Sequence, residues 1–233
     1  MDPINVLITG GTRGLGLALA KAFAARGGSV TLVARRPAEL DGAAAAIRAI
    51  GGDAHGISAD IGDKSATYRI AGEAMAMMGR IDLLIHNAST LGPTPLPLLL
   101  DTPCEDLAAV IETNVIGAFR LTKAVLPGML LRGSGTVLSI SSDAAVNAYP
   151  NWGAYGVSKA ALDHLSRSFA AEVAGTGVRI VSVDPGEMDT DMHAAAMPEA
   201  DRAGLTSPES AAEWIAAWLP KARNGERGVR GGE

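Results

Sequence analysis

Six short apolar, β-branched runs recur along this chain, and longer alanine-rich stretches of helical period lie between them. The runs read INVLITG, SVTLVAR, AHGISAD, IDLLIHNA, GTVLSISS and VRIVSVDPG, with helices expected at about 14–26, 37–50, 63–78, 103–131 and 153–174. Runs apolar enough to be buried on both faces, each separated from the next by a helix, suit a parallel sheet covered on both sides. The expected fold class is α/β, a doubly wound parallel sheet flanked by helices, with one domain over residues 1–233. In that architecture ligands sit beyond the carboxyl ends of the strands, so the chemistry is expected in the loops there.

The first such loop is rich in glycine. VLITGGTRGLGLALAKAF passes from a strand through Gly10, Gly14 and Gly16 into a helix, with the spacing TGxxxGxG. Glycine allows positive φ in the turn, close approach of backbone amides to an anion, and close packing of helix on strand. The helix start then offers unpaired N–H groups and the positive end of its dipole to a pyrophosphate. Thr12, Arg13 and Leu15 belong to the same loop. At the end of the second strand, in TLVARRPAEL, Ala34 stands where NAD-binding sheets usually carry an acid, and Arg35 and Arg36 follow it. Guanidiniums at Arg13 and Arg35 suit a ribose 2′-phosphate, so the expected cofactor is NADP(H) ahead of NAD(H).

Composition excludes several other classes. The formal net charge is −5 with no dense basic run, so no nucleic-acid surface is expected. No apolar stretch reaches the roughly 20 residues that span a bilayer, and the opening MDPINVLITG lacks the basic region of a signal peptide. A single cysteine, Cys104, allows no internal disulfide. The expectation is a soluble cytoplasmic protein without membrane contact. GEMDTDMH clusters acids with one histidine but has no firm ligand spacing, so no metal is expected. AMAMMG reads as core filler at helical spacing. Residues of about 187–206, a long insert after the sixth strand, read as a substrate lid. The helix after it opens with Ser207 as N-cap and Pro208 in its first turn, and the polar tail could add a short edge strand.

Thr9-Gly10, Gly14, Gly16, Asn87-Ala88, Asn114, Ser142, Tyr155-x-x-x-Lys159 and Pro185-Gly186 together resemble the short-chain dehydrogenase/reductase family over about residues 4–190. The resemblance implies a Rossmann-type sheet and hydride transfer between a nicotinamide cofactor and a small carbonyl or alcohol substrate. Tyr155 would be the general acid/base and Ser142 the donor to the substrate oxygen. Lys159 would hold the nicotinamide ribose, and Asn114 would hold a relay water. It also implies that Asp60 contacts the adenine beside the amide of Ile61, that Asn87 and Ala88 border the cofactor, and that Pro185, Gly186 and Thr190 meet the nicotinamide. Two departures stand out, His86 where asparagine is common and Ser89 where glycine is common, and both side chains need room beside the adenosine ribose.

Tyrosine has an ordinary pKa near 10, so it is a poor base at neutral pH. Lys159, one helical turn on, is expected to share its face and to favour the phenolate. Ser139 and Ser141 fall on the strand face opposite Ser142 and are expected to be structural. Tyr149 and Trp152, between Ser142 and Tyr155, are candidate walls of a substrate pocket. The family also implies homodimers or homotetramers built on the helices at about 103–131 and 153–174. A non-catalytic NADP sensor on the same fold is the alternative, but such a protein would be free to lose the Tyr/Lys pair. Epimerases of the superfamily usually carry TGxxGxxG in longer chains.

Overall fold

The computed structural model describes residues 4–231, so the expectations for the opening MDP, the closing GE and the outer ends of the 1–233 domain lie outside the described residues. Seven strands form one sheet: β1 (Asn5–Thr9), β2 (Ser29–Ala34), β3 (Asp53–Ser58), β4 (Leu83–His86), β5 (Gly135–Ile140), β6 (Val178–Asp184) and β7 (Arg227–Val229). Their order is β3-β2-β1-β4-β5-β6-β7, and every neighbouring pair is parallel. The chain thus forms the doubly wound sheet expected of it, and β7 is the edge strand that the tail allowed. The order reverses between β1 and β4, and a crevice opens there.

Alternation along β1 shows why both faces need cover. Val6 and Ile8 enter one apolar cluster and Leu7 the other, all fully buried. Complete burial of one such side chain contributes about 1.5–3 kcal/mol. Helices α1 (Gly14–Ala24), α2 (Pro37–Ala49) and α8 (Pro208–Trp218) cover the first face with leucine, isoleucine and many alanines. Helices α3 (Thr67–Met78), α5 (Gly117–Arg132) and α6 (Gly153–Glu172) cover the second. Ser207 caps α8 as expected, its hydroxyl accepting from the Ser210 N–H.

Three local expectations need correction. The helix expected over 103–131 is α4 (Cys104–Ile111) and α5 joined by a π-helical turn at Glu112–Ile116. The methionines of AMAMMG are not all core filler. The buried stripe of α3 is Ile70, Ala71 and Ala74, which turns Met75 and Met77 out to solvent. Within the 187–206 insert a short helix, α7 (Asp191–Ala196), was not foreseen.

The glycine turn depends on contact between backbones. A Cβ on Gly16 would lie 2.2 Å from the Gly10 carbonyl oxygen and 2.5 Å from Asn87 Nδ2. The first is backbone and the second a side-chain amide pinned by hydrogen bonds to the Thr9 and Gly10 carbonyls, so Gly16→Ala should cost about 1–3 kcal/mol in stability. Denaturant unfolding checks this, and an unchanged midpoint would refute it.

Candidate active site

Most candidate site residues lie in loops past the carboxyl end of a strand. Gly10 follows β1, Arg35 follows β2, Asp60 β3, Asn87 β4, Ser142 β5, and Pro185 β6. Together they line a cleft of about 1060 Å³ that runs from Arg35, Glu39 and Asp60 past the glycine turn to Ser142 and Tyr155. Thr12, Arg13, Gly14, Leu15, Ile61, Ala88, Tyr149, Trp152, Lys159, Gly186 and Thr190 line it too. Gly16 and Asn114 do not.

The residues present fit a dinucleotide. The cleft is at the upper end of ordinary ligand-site volumes. Gly14 sits at φ +52°, and a Cβ there would meet nothing nearer than Thr190 Cγ2 at 3.5 Å, so the floor of the cleft stays open. Asn87 does not reach outward. Its Nδ2 donates to the carbonyls of Thr9 at 3.1 Å and Gly10 at 2.9 Å, which pins the turn. Asp60 Oδ1 accepts from the Gly62 N–H at 2.8 Å and caps its own loop.

At the end of the cleft beside Arg35 three arginines meet two acids. Arg13 pairs with Asp191 of α7 at 3.4 Å, and Arg36 pairs with Glu39 at 2.6 Å. Glu39 also accepts from Thr12 Oγ1 at 3.5 Å. Arg36 holds the Glu39 carboxyl below the usual carboxylate range. Of the three arginines, Arg35 is the one left without an acidic partner among the described residues. Sequence reasoning missed Glu39, although its place in the first turn of a helix opened by Pro37 was a readable signal.

At the other end Tyr155 and Lys159 share one face of α6, the Lys159 Nζ lying 5.4 Å from the centroid of the Tyr155 ring. Both are buried, at 8% and 2% exposure. Lys159 Nζ donates to the Ile140 carbonyl at 2.8 Å, and burial lowers its pKa to about 8. Tyr155 departs from the sequence reading. Burial raises its phenol pKa well above 10, outweighing the hydroxyls of Ser142 and Ser89 that favour the phenolate, and Asp184 and Asp143 raise it further. Desolvation therefore dominates, and the phenol is held protonated at neutral pH.

Ser142 lies in the extended segment after β5, where its Oγ donates to Asp143 Oδ1 at 3.0 Å and accepts from the Ala144 N–H at 3.2 Å. Asp143 Oδ2 also accepts from the Tyr149 hydroxyl at 2.8 Å. Trp152 meets the Tyr155 ring edge-on at 5.7 Å. It follows Asn151, whose φ of 70° is the left-handed region that asparagine tolerates better than most residues. Ser139 accepts from Ser166 Oγ at 3.0 Å, within the core. Ser141, expected to be structural, is buried but lines the cleft, and its hydroxyl has no hydrogen-bond partner among the described residues.

Asn114 stands in the π-helical turn with its amide fully engaged. Nδ2 donates to the Thr90 carbonyl and to Ser158 Oγ, each at 2.9 Å, and Oδ1 accepts from the Thr90 N–H at 2.8 Å. This amide ties the loop after β4 to the turn of α6 that carries Lys159, and does not reach into the cleft. His86 also lies away from the cleft. It is buried in the core, bonded to Thr122 Oγ1 at 2.7 Å, and burial lowers its pKa to about 3. Ser89 does line the cleft, but beside Tyr155 and not at the end beside Arg35, where the adenosine ribose was expected.

The 187–206 segment folds back over this end. Met188 bridges to Thr206, and Thr190 Oγ1 accepts from the His193 N–H at 3.2 Å, capping α7. Among the described residues, no helix is long and apolar enough to cross a membrane.

A doubly wound sheet with a glycine turn at its switch point and a deep crevice above defines a Rossmann-type nucleotide-binding domain. Comparison with known proteins narrows this. The family model for short chain dehydrogenase matches residues 5–201. A short chain dehydrogenase of Pseudocercospora fijiensis is 40% identical over 195 residues, which cover 82% of this chain and 61% of that protein. The chain thus spans about three fifths of that relative's length. A Shigella flexneri short chain dehydrogenase complexed with NADP superposes with a TM-score of 0.89 at 26% identity, covering 98% of this chain and 96% of that one. A 7α-hydroxysteroid dehydrogenase complexed with NADH and a 7-oxo bile acid gives a TM-score of 0.89 at 30% identity, covering 98% and 93%. The chain belongs to the short-chain dehydrogenase family, a family of oxidoreductases.

Proposed function

We propose that this protein is an NADP(H)-dependent carbonyl reductase, or alcohol dehydrogenase in the reverse direction, with Tyr155 as general acid/base. The observation that carries this reading is the convergence of the Tyr155 phenol, the Ser142 hydroxyl and the Lys159 ammonium at one end of the cleft whose middle is the glycine turn. The nicotinamide would supply or accept hydride. In the reducing direction Tyr155 gives its proton to the substrate oxygen as that oxygen gains charge, and in the oxidising direction it takes a proton back. Ser142 would turn its hydroxyl from Asp143 to the substrate oxygen and fix its position. Lys159 would donate to the nicotinamide ribose, and Asn114 would hold the turn of α6 that carries Lys159. Backbone amides at Gly14 and Leu15 would face the pyrophosphate, while Asp60 and Ile61 would border the adenine.

Pro185, Gly186 and Thr190 would meet the nicotinamide, and residues of about 187–206 would close over substrate beside Tyr149 and Trp152. Preference for NADP rests on Arg35 and Arg13 together with the missing acid at Ala34. Glu39 and Asp191 compete for two of the three arginines, so the preference should be modest. Family membership does not choose the cofactor, since the two relatives above hold NADP and NADH. The long helices carry exposed Leu131 and Val157, which supports a homodimer or homotetramer.

Two measurements test this reading. NADPH absorbance followed with a panel of small carbonyl compounds should show steady turnover, and its absence with both nicotinamides would overturn the oxidoreductase reading. Binding titrations should show NADPH bound about tenfold tighter than NADH. Tighter NADH binding would overturn the cofactor preference alone.

A further inference from the structure

Beyond the family-matched residues 5–201, the side chain of Arg227 in the tail reaches toward the catalytic end. β7 pairs with β6 in the register Ser182↔Arg227, Val183↔Gly228 and Asp184↔Val229. Gly228 seats this strand under α8, since a Cβ there would lie 2.6 Å from the Trp218 ring. From this seat Arg227 turns inward. Its Nε donates to Asp163 Oδ2 at 2.8 Å, and one terminal nitrogen donates to the Ser142 carbonyl at 2.9 Å and to Asp184 Oδ2 at 3.3 Å. Side-chain exposure is 19% for Arg227, 4% for Asp163 and 7% for Asp184.

Each partner leads to a different part of the site. Asp163 is one turn beyond Lys159 on α6, and its charge favours the lysine's proton. Asp184 ends β6 and accepts from the Gly186 N–H at 3.0 Å, which fixes the Pro185-Gly186 wall, and its charge raises the proton affinity of Tyr155. Ser142 carries the hydroxyl beside that phenol. Two buried carboxylates against one guanidinium leave one negative charge, which the Lys159 ammonium balances.

We propose that Arg227 is a positioning residue of the active site: its guanidinium holds the backbone of Ser142 and neutralises the two carboxylates that face Lys159 and Tyr155. This rests on the reading of Tyr155 and Ser142 given above. A buried ion pair could instead be a staple that only fastens the tail, and the two roles predict different behaviour. A staple contributes stability, whereas a positioning residue also sets geometry and proton affinity at the phenol.

The test compares the wild type with Arg227→Met and Arg227→Lys. The groups that face the phenol and ammonium are Asp184, Asp143, Asp163, Ser142 and Ser89. With Asp163 and Asp184 left uncompensated, Arg227→Met should lower kcat about 10²-fold while NADPH affinity changes little. Phenolate absorbance at high pH, with Tyr155→Phe as blank, should show Tyr155 about tenfold less ionised than in wild type at the same pH. Arg227→Lys keeps the charge without the fork, so the titration should stay at its wild-type position while kcat falls several-fold. A Met variant with wild-type kcat and phenol titration, and only a lower Tm, would overturn the proposal. Should that variant not fold, Arg227→Lys decides, because wild-type kcat in it overturns the proposal equally. A wild type without turnover would instead remove the oxidoreductase reading, and the phenol titration would still judge Arg227.

Discussion

Tyr155→Phe is expected to lower kcat by about 10²–10⁴-fold while NADPH affinity stays within about threefold of wild type. The substitution removes one oxygen and leaves the ring, so the edge-on contact with Trp152 at 5.7 Å is preserved and the cleft keeps its wall. What is lost is the proton. Burial raises the phenol's pKa well above 10, so at neutral pH the group is protonated and ready to give its proton to an oxygen as charge develops there. The same burial makes it a reluctant base, and alcohol oxidation should therefore speed up with rising pH more than carbonyl reduction does. Steady-state kinetics with a carbonyl substrate and a separate NADPH titration check the result. Unchanged kcat would remove Tyr155 from its role, while equal losses of kcat and nucleotide affinity would mean that the ring itself had moved.

The second large effect concerns Lys159, whose ammonium is buried and held near pKa 8 in place of the usual 10.5. The sign follows from proton counting. The unfolded chain keeps this proton up to about pH 10.5, while the folded chain releases it near pH 8, so in that window the unfolded state binds more protons. Stability should rise with pH there, and below pH 8 the buried charge costs the folded protein roughly 3 kcal/mol. Lys159→Met fills most of the volume without the charge. Denaturant unfolding of protein without added nucleotide should show wild type gaining about 3 kcal/mol on the variant between pH 8 and 10.5. Parallel curves would refute this. Tyr155 works in the opposite direction above pH 10 in both proteins, so the difference between them isolates the lysine. The variant should also bind NADPH about tenfold or more weakly, because it has lost a charged donor for the ribose. The lysine would then be kept for its function at a cost in stability.

Much of this protein is legible in its sequence. The six apolar runs became β1 to β6, the glycine loop lies at the switch point, and Ser207 caps α8, because each of these depends on near neighbours in the chain. What escaped the sequence depended on residues far apart in it. Asn114 read as a helix-interior asparagine that the family resemblance makes the holder of a relay water. Its π-helical turn and its bonds to Thr90 and Ser158 arise only where α4 and α5 meet α6 and the loop after β4. His86 and Ser89, three residues apart, went to the core and to the cleft, a separation made by the end of β4.

The order of the motifs and their places past the strand ends determined the fold, the family and the residues that meet in the cleft, because periodicity and turn chemistry are local. Only the tertiary structure decided how those residues are held. It buried the phenol so that desolvation raises its pKa, and it tied Arg13 to Asp191 of α7. It also brought Arg227 from the tail to Asp163, Asp184 and Ser142. Burial and charge pairing depend on which elements the sheet order places side by side, and that is a property of the whole chain.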